Sequence, residues 1–565
     1  MTSRMRAQRR LVSSTFALAL LLAGGSRTAG AASPANASSP LGMNLNGVSY
    51  YSTEQPFLNV FVTNGGWVTH SQDTWDTHEE QYLQLDANGY PKTLVAAPSD
   101  PHSPQLFDAV GIVVDRVPAP FLYPAGRYVV LYEGEGTLTY EFDARLISSS
   151  RGRDVIEVAR PSDNNGIHVQ ITETDPRHNG SYIRNIRIVP EQELAAFKAG
   201  QLFDPAFVQM LSRFRVLRFM DWLNTNGNTL SSWSSRPVPS YYSWTPGVPL
   251  EVAVALANAV SADAWLNVPA MADDDYVRQM AALVHGKLGP TQKVYLEYSN
   301  EVWNNSFPQY DYAVTRGKQA WPNRPSGKNG YEWNRNWYGM RSAQICDMWK
   351  AAWGPDRNRV ICVLAAQAAY GYSATEALDC PYWTAGAPCS GHGIGAVAIA
   401  PYFGDRNLSS QWVAQPDGGL ASLFGSLAAG GDSGVPDGGW FHETAQWETS
   451  YAAIAARYHL PLIGYEGGQG FISGSNDPAA RLLVAASRDP RMGAAYTQYL
   501  QQWKGSGGEL LVLFNDIGSF SQYGEWGGLE SLMQWKASGA RSPPKWAAIQ
   551  GFIRSTPCWW PQCSR

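Results

Sequence analysis

From about Glu191 to the end of the chain, short apolar strands alternate with helical stretches, and this alternation limits the possible folds more than any other feature. Seven strand-like segments can be read: "VLRFMD" (216–221), "AWLNVP" (264–269), "KVYLEYSNE" (293–301), "RVICVLAAQA" (359–368), "GAVAIAPYFG" (395–404), "PLIGYEGGQG" (461–470) and "ELLVLFNDI" (509–517). Helical patterns separate them, among them "PLEVAVALANAVSA", "DDDYVRQMAALVHGKL", "EWNRNWYGMRSAQICDMWKAAW" and "TAQWETSYAAIAARY". Strands joined through helices run parallel, and a closed ring of such units has eight strands. The missing first strand fits at "MNLNGVSY", with Leu45 to Val48 expected beside "VLRFMD".

Between those two stretches the texture differs. In "TLTYEF", Leu138, Tyr140 and Phe142 alternate with Thr137, Thr139 and Glu141, and "GIHVQITE" alternates in the same way. "YVVLYEGEGTLTYEF" reads as a hairpin with a Gly-Glu-Gly turn. Short alternating strands between turn signals imply a sandwich. The expected fold is therefore α/β: a (β/α)8 (TIM) barrel from 43–75 and 195–555, with an inserted antiparallel β-sandwich at 76–190. A Cys-containing tail at 556–565 completes it. In this numbering "KVYLEYSNE" is strand four and "PLIGYEGGQG" is strand seven.

The N-terminus has the layout of a secretory leader over 1–31. A basic "MTSRMRAQRR" precedes the apolar "LVSSTFALALLLAGG" and an A-x-A-like site at Ala29 to Ala31. A flexible linker at 32–42 follows. The apolar run is short for a membrane span, and no later run approaches about 20 residues. No membrane association is expected once the leader is removed. Export permits disulfides. Six cysteines allow fifteen pairings; Cys380 with Cys389 and Cys558 with Cys563 are close enough to be local staples, leaving Cys346 and Cys362. No Cys or His group has zinc-ligand spacing, so no metal is expected. A net charge of −5 without a basic stripe argues against nucleic acid. Charged residues make up only 16% of the chain, against 22 Trp and 28 Tyr. Aromatic faces in a weakly charged chain suit stacking on sugar rings, although many must serve the core.

Barrel enzymes carry their chemistry at the C-terminal ends of the strands. Strand four runs through Val294, Tyr295, Leu296 and Tyr298, then turns abruptly polar at Ser299, Asn300 and Glu301, with Trp303 following. Strand seven ends in Glu466 before Gly467 and Gly468. The two strands face each other across the barrel mouth, so Glu301 and Glu466 can flank a bound ligand. Two such carboxylates can cleave a glycosidic bond. A separation of about 5–5.5 Å implies retention of configuration and about 6.5–9.5 Å implies inversion.

"LEYSNE" resembles the Asn-Glu end of strand four in clan A glycoside hydrolases, the superfamily that includes family 5 cellulases and mannanases. "IGYEGG" is similar to their strand-seven segment, "LRFMDW" to strand two, and "IAPYFG" to strand six. The resemblance covers the barrel portion, and it implies a retaining hydrolase of β-linked glucan, mannan or xylan that needs no cofactor. It assigns Glu301 as acid/base and Glu466 as nucleophile, with Asn300, Arg218 and Tyr402 in support. Two departures are visible: Val302 stands where Pro often follows Asn-Glu, and the strand-eight Trp is replaced by Phe514 and Asn515, with Trp526 in the next loop. Asn267, Trp222, Trp303 and Trp526 are candidates for binding sugar, and packing competes for each. Glu297 shares the parity of Glu301 and is expected to pair with Arg218 inside the barrel. A non-catalytic glycan-binding protein and an exported scaffold are the competing readings; the presence of both glutamates favours an enzyme.

Overall fold

The structure is a computed structural model that describes residues 34–95, 107–117, 120–163, 165–404, 412–432, 434–473, 477–537, 542–561 and 563. The leader expected at 1–31 and the loop residues 405–411 lie outside the described residues. Residues 35–565 form one compact unit.

Among the described residues sixteen strands follow in chain order: β1 (Leu41–Asn44), β2 (Val68–His70), β3 (Ala109–Val114), β4 (Gly126–Glu133), β5 (Gly136–Phe142), β6 (Ala144–Ser150), β7 (Arg153–Val158), β8 (Ile167–Thr174), β9 (Arg184–Pro190), β10 (Val216–Arg218), β11 (Asp263–Val268), β12 (Val294–Tyr298), β13 (Val360–Ala365), β14 (Ile394–Ile399), β15 (Leu462–Gly464) and β16 (Leu511–Leu513). Eight of them, β1 and β10 through β16, close into a parallel barrel. The other eight form two four-stranded sheets, ordered β2-β3-β8-β5 and β6-β7-β4-β9. Pairing within both sheets is antiparallel. The barrel is thus entered once, left for the two sheets, and re-entered at β10.

Two expectations need correction. The first barrel strand is Leu41–Asn44, not Leu45 to Val48. It pairs with β10 through Met43 and Leu217, and with β16 through Leu41 and Leu511. Leu41, Met43 and Leu45 are fully buried and face the surrounding helices, while Gly42 and Asn44 point into the lumen. A side chain at Gly42 would press on the carbonyl of Val216 and on Val512, both 2.9 Å from a Cβ placed there. The strand begins where the sequence still reads as linker, because Pro40 just before it and Gly42 within it carry no strand signal. The sheets also begin earlier than residue 76, at β2. Three residues are too few to display alternation, so Val68–His70 could not be read as a strand.

Alternation then divides the residues between cores. In β12, Val294, Leu296 and Tyr298 pack outward against the helices, and Tyr295 joins the lumen cluster with Trp265, Tyr465 and Val512. The two sheets enclose a separate core that includes Val110, Ile112, Val130, Ile156, Val169 and Ile188. The Asp run opens the helix Asp274–Lys287, where Asp273 caps the amide of Tyr276 at 2.7 Å. Disulfides join Cys346 to Cys362, Cys380 to Cys389 and Cys558 to Cys563. Among the described residues no helix is long and apolar enough to cross a membrane.

Candidate active site

Arg218, the last residue of β10, is fully buried in the barrel. Its guanidinium donates to Glu297 from Nε (3.2 Å) and Nη2 (2.8 Å), to Asn300 Oδ1 from Nη2 (2.7 Å), and from Nη1 to Asn44 Oδ1 (3.0 Å) and Glu466 Oε1 (2.6 Å). One side chain therefore binds together the ends of β1, β12 and β15. Glu297 is held further by the Trp265 indole at 2.8 Å and the Asn267 amide at 2.9 Å. A buried charge needs this degree of pairing, since breaking such a pair typically costs about 3–5 kcal/mol.

Glu301 arrives differently. β12 ends at Tyr298, and the chain then turns through left-handed backbone at Ser299 (φ 56°) and Glu301 (φ 41°). Left-handed backbone disfavours residues with a Cβ, by about 1–2 kcal/mol each, and such strain gathers at functional sites. The Glu301 carboxyl accepts from Tyr465 Oη at 2.9 Å and from the Asn304 amide at 2.8 Å. Glu466 accepts from Tyr402 Oη at 3.1 Å in addition to Arg218. Burial holds both tyrosines far above their usual pKa, so they remain neutral donors.

Burial raises the pKa of both carboxyls, that of Glu466 to about 8. Arg218 opposes the rise at Glu466, while the charges of Glu301 and Asp221 add to it. At Glu301 the hydrogen bonds from Asn304 and Tyr465 oppose it. The larger upward push thus falls on Glu466, yet the direct 2.6 Å ion pair also falls there. Two coupled carboxyls titrate as a pair. The guanidinium sits on Glu466, whereas Glu301 accepts hydrogen bonds from neutral donors, so these contacts favour the negative charge on Glu466 over Glu301. Nearby Asp221 is pushed by burial to about 6, against the pull of Arg218.

Asn300, Arg218, Tyr402 and Glu466 thus form one hydrogen-bonded group, and Glu301 joins it through Tyr465, whose ring lies 5.2 Å from the Arg218 guanidinium. Asn267 departs from expectation. It is 2% exposed, and its amide nitrogen is committed to Glu297 and to the Ser299 carbonyl, which makes it a brace. Trp222 also departs. It is 1% exposed and packs on Phe57, Phe207 and Phe219, so neither ring face is open to a sugar. Trp303 is half-buried, and its indole nitrogen has no hydrogen-bond partner among the described residues. Trp526 packs edge-on against Phe514 at 5.9 Å. With Asn46, Tyr51, Asn515 and Tyr523, Trp526 lines a cleft of about 780 Å³ beyond the ends of β1 and β16.

Asn44, Tyr465, Asn226 and Gln309 escaped the sequence reading. Asn226 accepts from the amides of Asn300 (3.1 Å) and Gln309 (2.8 Å), steadying the turn that carries Glu301. Asn44 and Tyr465 occupy lumen parity next to residues already singled out, and that parity was the one signal available.

No protein-family model and no curated protein matches the sequence. Solved structures do. A 4-O-α-L-rhamnosyl-β-D-glucuronidase from Fusarium oxysporum is 12% identical with a TM-score of 0.36, over 60% of this chain and 61% of that one. A Bacteroidetes-affiliated GH5 cellulase linked with a polysaccharide utilization locus is 11% identical with a TM-score of 0.33, over 62% of this chain and 90% of that one. An endo-β-1,4-mannanase from Cellulomonas fimi is 11% identical with a TM-score of 0.26, over 51% of this chain and 56% of that one.

Proposed function

We propose that the protein is a secreted retaining glycoside hydrolase that cleaves a β-linked polysaccharide or oligosaccharide of glucan, mannan or xylan type. The observation that carries this reading is the unlike treatment of two buried carboxyls at one end of the barrel. Glu466 is ion-paired to Arg218, and Glu301 is bonded to neutral donors only. Environments that push two carboxyls toward opposite protonation states are what acid and nucleophile roles require.

In this mechanism the Glu466 carboxylate attacks the anomeric carbon, oriented by Arg218 and Tyr402. Glu301 delivers its proton to the departing glycosidic oxygen. With the glycosyl-enzyme formed, Glu301 is a carboxylate that Tyr465 and Asn304 stabilise. It then takes a proton from water, which attacks the anomeric carbon and releases Glu466. The carboxyls should lie about 5–5.5 Å apart. Trp303 and Trp526 serve as sugar-stacking faces. Three disulfides support an oxidising compartment.

The test is incubation with β-glucan, mannan and xylan, with products separated by chain length and their first-formed anomer read by NMR. Hydrolysis that yields the β-anomer first is expected. Products of inverted configuration would overturn the double displacement. Tight binding of a glycan without cleavage would transfer the protein to the non-catalytic reading.

A further inference from the structure

His70 in β2 and His168 in β8 are 98 positions apart in the sequence and meet on the outer face of the first sheet. Strand β3 lies between them: His70 is in register with Ala109, and His168 with Val113. Both histidines therefore flank Gly111 diagonally. Both are buried, His70 at 6% exposure and His168 at 0%. Their ring centroids are 5.4 Å apart with planes at 77°.

The protons of the two rings can be placed from their partners. His70 Nδ1 meets the Trp75 carbonyl, which can only accept. His168 Nδ1 lies 3.2 Å from a Glu141 carboxylate oxygen, which also accepts; the Gln170 amide, 3.4 Å from the same nitrogen, donates to that oxygen at 3.2 Å. Each neutral ring thus carries its hydrogen on Nδ1 and turns an Nε2 lone pair inward. Among the described residues neither Nε2 has a hydrogen-bond partner. Both approach Gly111 so closely that a methyl group built there would collide with both nitrogens. Two buried acceptor nitrogens crowded beside one residue, with no donor between them among the described residues, are unfavourable unless an electropositive group bridges them.

We propose that His70 Nε2 and His168 Nε2 form a binding site for one divalent transition-metal cation of the zinc–copper class. Neutral imidazole nitrogen suits these ions, at about 2.0–2.1 Å for zinc. The outer contacts match as well, since ligating histidines usually donate their second N–H to a carboxylate or backbone carbonyl. Glu141 and the Trp75 carbonyl play those parts. The absence of a side chain at Gly111 is what lets both nitrogens come this close. The Trp75 ring lies tilted against both imidazoles, with centroids at 4.7 and 4.6 Å, and is itself 48% exposed, so it stands between the histidines and bulk solvent. Water reaching past the edge of that ring completes the coordination. The bound ion ties β2 to β8 across β3, independently of the barrel chemistry.

The experiment uses the untagged full-length protein, stripped with chelator and dialysed against Zn2+ or Cu2+. One ion per chain is expected, with a rise in melting temperature. In the copper form, electron paramagnetic resonance should report hyperfine coupling to two imidazole nitrogens. His168→Ala and His70→Ala should each lose the ion and the thermal shift. Gly111→Ala should lose them too, with both histidines still present. Stripped wild-type protein that takes up no ion, or a copper signal with fewer than two imidazole nitrogens, overturns the proposal without recourse to any variant. Uptake unchanged in all three variants overturns it equally.

Discussion

Arg218 donates to Glu297, Asn44, Glu466 and Asn300 through a planar fork that a lysine cannot imitate. In Arg218→Lys, a single ammonium cannot serve all four acceptors, and the direct pairing that pulls the Glu466 pKa down is weakened. That pKa should rise, and the acid limb of the kcat/KM profile should move to higher pH. Tyr465→Phe acts on the opposite limb. Its hydroxyl stabilises ionised Glu301, so removal should raise the Glu301 pKa and carry the alkaline limb upward; a profile that moves down in pH would refute the assignment. The glutamates themselves separate by azide rescue. Glu466→Ala should lose hydrolysis of every substrate, and azide should give a glycosyl azide of inverted configuration. Glu301→Ala should lose about 10²–10⁴-fold on a natural glycan, less on an activated aryl glycoside, and yield an azide product of retained configuration. Reversed stereochemistry would exchange the two roles.

At the scale of elements, the loops after β1 and β16 are joined by a buried acid pair, Glu54 and Asp516, each fully buried. Burial lifts Asp516 to about 7; burial and then the charge of Asp516 lift Glu54 well above its usual value. An unfolded Asp titrates near about 3.9. Between that value and about 7 the folded chain holds the extra proton, so this pair makes stability fall as pH rises through the window. Asp516→Asn keeps an acceptor for the Asn46 amide and should flatten that decline, which melting curves from pH 4 to 8 would register. The Cys346–Cys362 bridge, with a separation of 16 residues, fastens the helix Tyr331–Trp353 to β13. Replacing both cysteines with Ala should cost about 3 kcal/mol, readable by denaturant titration. Elements were legible in the sequence where their pattern was long. β12 with its abrupt polar end, and the helix after Asp273, could be read directly. β1 and β2 could not, because Leu41–Asn44 and Val68–His70 are held by their neighbours in register more than by their own propensity. Trp222 was misjudged for a related reason. Standing just after a strand end suggested the mouth, but the Phe57 segment, which precedes the sheets in the sequence, covers it.

For the whole molecule, barrel and sheets share one connection pattern, and the barrel depends on a strand that precedes the sheets. Trp67 stacks on Tyr242 at 5.5 Å, and Trp244 donates its amide to Val62, so the loop after β10 is built against the inserted portion. A fragment 195–565 retains β10 through β16 but leaves β10 and β16 each with an unpaired edge, and it should be insoluble or lack a cooperative melt, while the full chain melts cooperatively. The ring of eight was legible because seven of its strands alternate with helices. The internal pairing of Glu301 with Tyr465, and of Arg218 with Asn44, was not, since both depend on which lumen positions come level once the ring closes. That closure has a consequence in time. Asn46 and Asp516 meet across 470 positions, and β1 cannot gain its β16 neighbour until nearly all of the polypeptide has emerged. The first barrel strand to be synthesised is thus the last to be enclosed, and the sheets, whose partners all lie between 68 and 190, are free to form while it waits. Pulse-labelling hydrogen exchange during refolding should find the amides of β3, β4 and β8 protected before those of β1 and β16.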